Sequence, residues 1–217
     1  MLDSAWDLID GNVAHEIEVL NYSNQVNVIE ALVRFLLHHA GPQADDCPIF
    51  PDEDALKEIH RTGTLFLLAK PGQYRSGPVY IRKRDGTLVH TPPPADQVPN
   101  WMVDFFQRLG TLWPNAGSIE VAAFSLWMLN WVHPFKNGNG RSARAFCYAC
   151  ICLKFGFVLP GAPTVIDQIM NDRDEYQTAL KVADVKFEQT GEPDLSTMIT
   201  FLGRLLINQL RSVPPQT

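Results

Sequence analysis

The sequence predicts a mainly α-helical domain that carries one β-hairpin. Apolar residues recur at three- and four-residue spacing in several long stretches, which is the pattern of amphipathic helices. The stretch from Ser118 to Val132 is apolar on nearly all sides, as expected for a helix in the middle of a bundle. Asp85-Gly86 separates two strand-like runs, and this pair favours a tight hairpin because both central residues of such a turn need positive φ.

The composition is that of a folded chain with a mild excess of acid. The 217 residues are 46% hydrophobic, and the formal net charge is −6. This balance argues against a protein held to nucleic acid or to an anionic membrane by bulk positive charge, so neither partner is expected. The N-terminus lacks a basic start followed by an apolar run, and the apolar stretch 121–132 is too short to span a bilayer. We therefore predict a cytoplasmic protein.

The cysteines fit the same compartment. Three of them crowd into one apolar stretch, which is not the spacing of a disulfide framework. A zinc site is disfavoured, because on a helix the third of these thiols points away from the first two. We predict buried free thiols rather than a metal site; the four residues are Cys47, Cys147, Cys150 and Cys152.

The first half of the chain predicts two helices and the hairpin. Apolar spacing predicts a helix from Val26 to Ala40 that ends at Gly41-Pro42. Acidic residues 52–54 favour the positive start of a second helix, which runs to about Lys70. Strand-like residues flank Asp85-Gly86 between positions 79 and 91, and the prolines 92–94 end the second strand.

The second half predicts only helices, and no linker or internal repeat divides the chain. Ser118 is the predicted N-cap of the apolar helix, and the next helix follows the glycines near position 140. The helical stretches predicted here are 99–109, 118–132, 140–155, 164–186 and 195–210.

The segment between the apolar helix and the next one carries the predicted chemistry. Gly138, Asn139 and Gly140 let the backbone turn so that successive N–H groups meet at one concave spot, at the positive end of a helix. Arg141 and Arg144 share a face of that helix and suit neighbouring oxygens of one polyphosphate.

His133 stands at the lip of this anion cradle. The proline after it disfavours helical geometry, so the apolar helix is predicted to end there with the imidazole facing the loop. A neutral imidazole can accept the proton of a hydroxyl that attacks phosphorus. The alternative is a plain Gly-Asn turn with a hydrogen-bonded histidine and solvated arginines. The twelve positions from His133 to Arg144 combine these residues in one fixed order, which favours phosphoryl or nucleotidyl transfer over a plain turn.

The run His-Pro-Phe-x-x-Gly-Asn-Gly-Arg-x-x-Arg, from His133 to Arg144, resembles the signature of the Fic family. Members of that family mostly transfer AMP from ATP to a protein hydroxyl. The residues GQYR at 72–75 and the hairpin after them are similar to the segment that leads into the family's target-binding flap. The resemblance covers roughly residues 50–190 and implies a Fic-like helical bundle with one β-hairpin flap.

The resemblance also implies a division of the chain and a set of roles. We expect an N-terminal helical extension (1–50), a catalytic core (51–190) and a C-terminal helix with a tail (191–217). ATP would be the substrate, Mg²⁺ the cofactor, and a protein with a Ser, Thr or Tyr hydroxyl the partner. The implied site residues are His133 as general base, Gly138, Asn139 and Gly140 for the α- and β-phosphates, Arg141 for the leaving pyrophosphate, Arg144 for the γ-phosphate, and Tyr80 and Ile81 for the target strand.

Two departures from the family pattern leave alternatives open. The position after Lys136 is commonly an acid that binds magnesium, and here it is Asn137, a poorer ligand. A weakened Fic-fold binding protein, or transfer or removal of another nucleotide, is therefore the alternative function. The family's inhibitory pattern, Ser/Thr-x-x-x-Glu-Gly/Asn, matches none of the glutamates. We expect no built-in inhibitor; a toxin restrained by a separate antitoxin chain fits this absence.

Overall fold

The structure is a computed structural model, and it describes residues 6–39, 51–82 and 85–214. These residues form eight α-helices, a one-turn 3₁₀ helix at Ala95–Gln97 and one antiparallel hairpin, so the predicted fold class is confirmed. The elements are α1 (Gly11–His39), α2 (Glu53–Thr64), β1 (Ile81–Arg82), β2 (Leu88–His90), α3 (Val98–Asn115), α4 (Ser118–Val132), α5 (Asn139–Phe155), α6 (Val165–Asn171), α7 (Arg173–Thr190) and α8 (Ser196–Arg211).

Helix α4 lies at the centre of the bundle. It packs against α3, α5, α7 and α8, and ten of its residues are buried. Trp127 of α4 and Phe146 of α5 are fully enclosed in this core. The all-round apolar pattern of α4 therefore predicted its position correctly. The helix holds the segment 133–138 at its carboxyl end, next to the start of α5.

Helix α1 is much longer than predicted, because it begins at Gly11 rather than near Val26. Its added turns pack through polar side chains: Asn21 donates to the carbonyl of Leu65 at 2.8 Å, and Gln25 donates to that of Ile59 at 2.8 Å. A contact face built from amides has no apolar period, so the sequence pattern missed it. The predicted end at Gly41-Pro42, like Cys47, lies outside the described residues.

Four other predicted boundaries are wrong. Helix α2 ends at Thr64, before Phe66 adopts a positive φ of 64°. Helix α3 continues past residue 109 to Asn115, where Lys154 donates to the carbonyl of Trp113. The predicted helix 164–186 is two helices, because Asp172 leaves helical geometry between α6 and α7. The N-cap of α4 is Gly117, one residue before the predicted Ser118.

The hairpin is shorter and its connection wider than predicted. Ile81 pairs with His90 and Arg82 pairs with Leu88, so five residues join the strands instead of the two of a tight turn. Asp85 accepts a hydrogen bond from the N–H of Thr87 at 2.9 Å, and this local bond draws Thr87 into the connection. Residues 83 and 84 of the connection lie outside the described residues.

Two further observations concern expectations from the sequence. Within the residues that the structure describes, no helix is both long and apolar enough to cross a membrane. Cys147, Cys150 and Cys152 are buried free thiols, as predicted.

Helix α1 packs on α2 and α5, and α8 packs on α4, α6 and α7. The division of the chain at residues 50 and 190 stays a prediction.

Candidate active site

The predicted anion cradle lies in the loop between the end of α4 and the start of α5. Helix α4 ends at Val132, as the proline after His133 led us to expect, and His133 caps the helix in the left-handed conformation with φ 51°. Gly138, with φ 77°, is the N-cap of α5. The N–H groups of a helix's first turn have no carbonyl partner inside the helix, so those of Asn139 and Gly140 suit an anion.

His133 is held as a neutral base. Its Nδ1 lies 3.2 Å from the carbonyl oxygen of Asn130, which only accepts, so Nδ1 carries the proton and Nε2 keeps the lone pair. The residue is 6% exposed. Burial, followed by the nearby imidazole of His90 and guanidinium of Arg75, lowers the pKa of His133 to about 4. The imidazole is therefore unprotonated at neutral pH.

Phe135 anchors the loop in the core, and its partner is a residue that the sequence analysis missed. The ring of Phe135 stacks on that of His60 at 3.7 Å, with 12° between the planes. His60 Nε2 donates to the carbonyl of Asn137 at 2.9 Å, and its Nδ1 accepts from the N–H of Gly72 at 2.9 Å. Burial lowers the pKa of His60 to about 4, which keeps both bonds in this arrangement.

The two asparagines of the motif bind the loop's own backbone. Asn139 Oδ1 accepts from the N–H of Phe135 at 2.7 Å, and its Nδ2 donates to the carbonyl of the same residue at 2.8 Å. Asn137 Oδ1 accepts from the N–H of Gly138 at 2.6 Å. These side chains give the loop its shape, so any bond from Asn139 to a phosphate would come from its backbone N–H.

The two arginines leave the same side of α5, and each already has neighbours. Arg141 donates to the carbonyl of Gly63 at 2.7 Å and lies 3.7 Å from the carboxylate of Glu18 on α1. Arg144 lies close to the hydroxyls of Tyr22 and Tyr176, with which it interacts electrostatically. The structure thus brings both predicted arginines to the start of α5.

The N-terminal segment reaches this site through two acids that the sequence analysis did not single out. Glu18 approaches Arg141 and accepts a hydrogen bond from the indole of Trp6 at 2.8 Å. Asp7 forms an ion pair with Lys136, the residue before Asn137. The inhibitory pattern searched for in the sequence does not include either acid. Both acids are far from the loop in the sequence, so their contacts with it are visible in the structure and not in the sequence.

A cleft of about 620 Å³ lies beside the end of α4, between the hairpin and α7. Its walls include Ile81, Trp131 and Leu180, and the charged side chains that line it are Asp174, Lys181, Asp184 and Glu188. Ile81 is buried against this cleft, whereas Tyr80 is 53% exposed at the strand's start. The two predicted hairpin residues therefore face different surroundings.

Comparison with known proteins decides the family. A family model described as Fic/DOC matches residues 50–151, which include the whole motif and the segment leading to the hairpin. The chain carries a Fic/DOC-family domain. Over 154 residues it is 31% identical to "Protein adenylyltransferase Fic" of Nematostella vectensis, covering 70% of this chain and 31% of that protein. The chain thus spans about a third of this relative's length.

Solved structures share the Fic fold. A Fic family protein from Desulfovibrio desulfuricans superposes with a TM-score of 0.68 at 24% identity, over 94% of this chain and 54% of its own. The BepC protein of Bartonella tribocorum, solved with bound AMPPNP, superposes with a TM-score of 0.51 at 17% identity, over 85% of this chain and 85% of its own. At these identities the likeness shows the fold alone.

The residues of this Fic domain do not fit a resident magnesium ion. Magnesium takes carboxylate oxygens and waters in octahedral geometry, usually with the phosphates of the substrate. Here the predicted ligand is the amide of Asn137, whose oxygen already accepts from Gly138. No group of three metal-binding side chains occurs in residues 6–39, 51–82 and 85–214.

The two buried histidines predict that the Fic domain loses stability in mild acid. The pKa of both His60 and His133 is lowered to about 4, from an ordinary 6.5. Below pH 6.5 the unfolded chain therefore binds protons that the folded chain does not, and stability falls as pH approaches 4. The full loss is about 3 kcal/mol per histidine. Urea unfolding at about pH 7, 6 and 5 measures it.

The control for this prediction is His60→Gln, which keeps an N–H donor but no longer titrates. Its stability should fall less steeply between pH 6.5 and 5 than that of the unmodified chain, whatever its stability at pH 7. An unfolding free energy that stays constant over this window would contradict the buried, neutral state of both rings.

Proposed function

We propose that this Fic domain transfers AMP from ATP to a Ser, Thr or Tyr hydroxyl of a target protein. The observation that carries the proposal is the state of His133, whose proton is on Nδ1 and which caps α4 a few residues before the start of α5 and its two arginines. The hydroxyl oxygen attacks the α-phosphorus, and the bond from this phosphorus to the bridging oxygen of the β-phosphate breaks. The hydroxyl proton goes to Nε2 of His133, and pyrophosphate leaves.

The low basicity of His133 affects how much this residue contributes to the rate acceleration. General base catalysis contributes roughly 10²–10⁴-fold and is strongest for a base whose pKa is close to the working pH. A ring with a pKa of about 4 is a weak base, although it is fully unprotonated at neutral pH. This weakness suits phosphoryl chemistry with a loose transition state, in which the proton is lost late.

Charge on the triphosphate would be met by the start of α5. We assign the α- and β-phosphates to the backbone around Gly138, Asn139 and Gly140, Arg141 to the pyrophosphate that leaves, and Arg144 to the γ-phosphate. A helix N-terminus favours such anions through its unpaired N–H groups and its dipole. Phosphate oxygens would compete with the carboxylate of Glu18 for Arg141. The guanidinium and this carboxylate are 3.7 Å apart, so their ion pair is weak enough for a phosphate to displace.

The hairpin would present the target. We assign Tyr80 and Ile81 to an added target strand, which binds mainly through its backbone and demands little of its side chains. Support for a nucleotide and a protein substrate also comes from the relatives. The Nematostella protein is named an adenylyltransferase, and BepC was solved with AMPPNP. We also propose that the protein acts in the cytoplasm and that a separate antitoxin chain inhibits its activity.

The experiment that tests this function follows the label from ATP. The full chain is incubated with magnesium, candidate targets and ATP labelled on either the α- or the γ-phosphate. We expect protein-bound label from α-labelled ATP only, because pyrophosphate carries the other two phosphates away. Parallel reactions with GTP and UTP identify the donor. Label from the γ-phosphate would instead mean phosphate transfer and would overturn the proposal.

The second candidate is a Fic-fold binding protein with a weakened site. The specific observation is that Asn137 offers an amide, already bonded to Gly138, where an acid would bind magnesium. Under this candidate the chain binds ATP weakly, without magnesium dependence, and transfers nothing.

Asn137→Asp separates the two candidates. If the chain is a catalyst, we expect AMP transfer to rise about 10-fold and to depend more steeply on magnesium, since metal-site groups change activity by about 10–100-fold. Asn115→Asp, which adds the same charge at the exposed end of α3, is the control and should change nothing. No transfer by either the unmodified chain or the Asn137→Asp variant would favour the binding protein.

A further inference from the structure

Arg75 is a buried arginine that joins three segments around the site. It is 6% exposed, and its side chain donates to backbone carbonyls. Nε donates to His133 at 2.8 Å, and Nη2 to Pro93 at 2.6 Å and to Val132 at 3.3 Å. Nη1 donates to Gly77 at 3.2 Å. Its backbone N–H also donates to the carbonyl of Pro134 at 2.9 Å.

The carbonyls that Arg75 binds belong to two functional parts. Those of Val132 and His133 are at the carboxyl end of α4, where the last carbonyls of a helix have no partner inside it and a cation is favoured. Those of Gly77 and Pro93 lie just before and just after the hairpin. One guanidinium therefore holds both ends of the hairpin against the residue that we assign as base.

A second contact ties the hairpin to the same helix end. His90, the last residue of β2, bonds through Nε2 to the carbonyl of Trp131 at 2.8 Å. Since a carbonyl only accepts, Nε2 carries a proton. The carbonyls of Trp131, Val132 and His133 thus all receive bonds from the segment 75–90. Without these bonds the two short strands would have little to fix them, because an isolated two-stranded ribbon is marginally stable.

We propose that Arg75 is a positioning residue, which holds the hairpin in register with His133 so that a target hydroxyl on the hairpin reaches the imidazole. The inference rests on the proposed function and goes beyond it by assigning a residue outside the motif. The register matters because a displacement of about 1 Å at a reacting centre can cost about 10²-fold in rate. Nucleotide binding, which we assign to the start of α5, does not depend on this contact.

An arginine suits this task better than a lysine. Its planar fork carries five N–H donors, so one side chain can reach carbonyls on separate segments at once. A lysine offers three donors from a single nitrogen and cannot span Gly77, Pro93 and His133 together. Arg75→Lys keeps the charge next to the loop but loses the geometry, which makes it the variant that separates the two contributions.

The test compares Arg75→Met and Arg75→Lys with Lys154→Met in the full chain. Lys154 is the matched control, because its ammonium caps the carbonyl of Trp113 at the end of α3, away from the hairpin. Hydrogen exchange is followed in residues 78–92, AMPPNP binding is measured by calorimetry with magnesium, and AMP transfer is measured from α-labelled ATP.

We expect hydrogen exchange in the hairpin to become about tenfold faster or more in both Arg75 variants, because bonds from a charged donor are lost. AMP transfer should fall about 10²-fold in Arg75→Met, with a partial recovery in Arg75→Lys. AMPPNP affinity should stay within about 3-fold, since the cradle is separate from these bonds. Lys154→Met should leave all three readouts unchanged.

Unchanged exchange in the hairpin of Arg75→Lys, or a loss of AMPPNP affinity as large as the loss of transfer, would overturn the assignment. The first result would show that other contacts hold the hairpin, and the second that Arg75 supports the loop as a whole. His133→Ala keeps the two proposals apart. If that variant transfers AMP at the normal rate, the role of His133 in the proposed function fails; if its transfer falls while Arg75→Met transfers normally, only the role of Arg75 fails.

Discussion

Replacing His133 with alanine should reduce AMP transfer by roughly 10²–10⁴-fold, the range expected when a general base is removed. The structure supports an effect on the chemical step alone. The ring is bonded through Nδ1 to Asn130 of α4, whereas we assign the phosphates to the start of α5, so ATP should still bind. The measurement is the initial rate of transfer from α-labelled ATP, together with the affinity for AMPPNP.

Two further variants serve as controls for His133→Ala. His133→Asn keeps a side chain that tolerates the left-handed backbone at this position, so it tests whether alanine acts through the fold. His38→Ala, at the exposed end of α1, should transfer AMP at the normal rate. If His133→Ala and His133→Asn both transferred AMP normally, the imidazole would not be the base.

Gly138→Ala should disable the cradle while the helices stay folded. The glycine has a φ of 77°, and a Cβ at this position would lie 2.6 Å from Cγ2 of Thr64. Left-handed geometry alone costs an alanine roughly 1–2 kcal/mol, and the contact with Thr64 forces the loop to move. We expect about 10²-fold less AMP transfer, since the phosphates and His133 would lose their alignment.

Helix α5 offers a matched control at its other end. Gly156 has a φ of 79°, and nothing lies within 4 Å of a Cβ built there. Gly156→Ala should therefore cost similar backbone strain without reducing AMP transfer. Thr64→Ser, which keeps the hydroxyl bond to His60, removes the clashing methyl and should restore part of the activity of Gly138→Ala. Equal losses in the two alanine variants would contradict the steric argument.

Local sequence patterns predicted the parts of the fold that depend on local chemistry. The apolar helix α4, its end before Pro134 and the glycine start of α5 all follow from periodicity and backbone preference. The hairpin's existence follows from its turn residues, but its register does not, because the bond from Thr87 to Asp85 widened the connection. The motif residues also came together as expected, since they are neighbours in the chain.

Contacts between distant residues could not be predicted in this way. His60 reads as part of a helix face, yet it bonds to Asn137 and Gly72 through its two ring nitrogens. Arg75 reads as a polar residue before a hairpin, yet it binds the end of α4. Helix α1 was missed at its start because its contacts are amides and acids. In each case a polar side chain pairs across the fold, and a single sequence does not show such pairing.

The most direct test of the account is the structure of the full chain with AMPPNP and magnesium. We predict that the N–H groups of Asn139 and Gly140 bind phosphate oxygens, that Arg144 contacts the terminal phosphate, and that Nε2 of His133 faces the side of the α-phosphorus from which a hydroxyl attacks. A triphosphate bound away from the start of α5, or an imidazole whose Nε2 points away from the α-phosphorus, would contradict it.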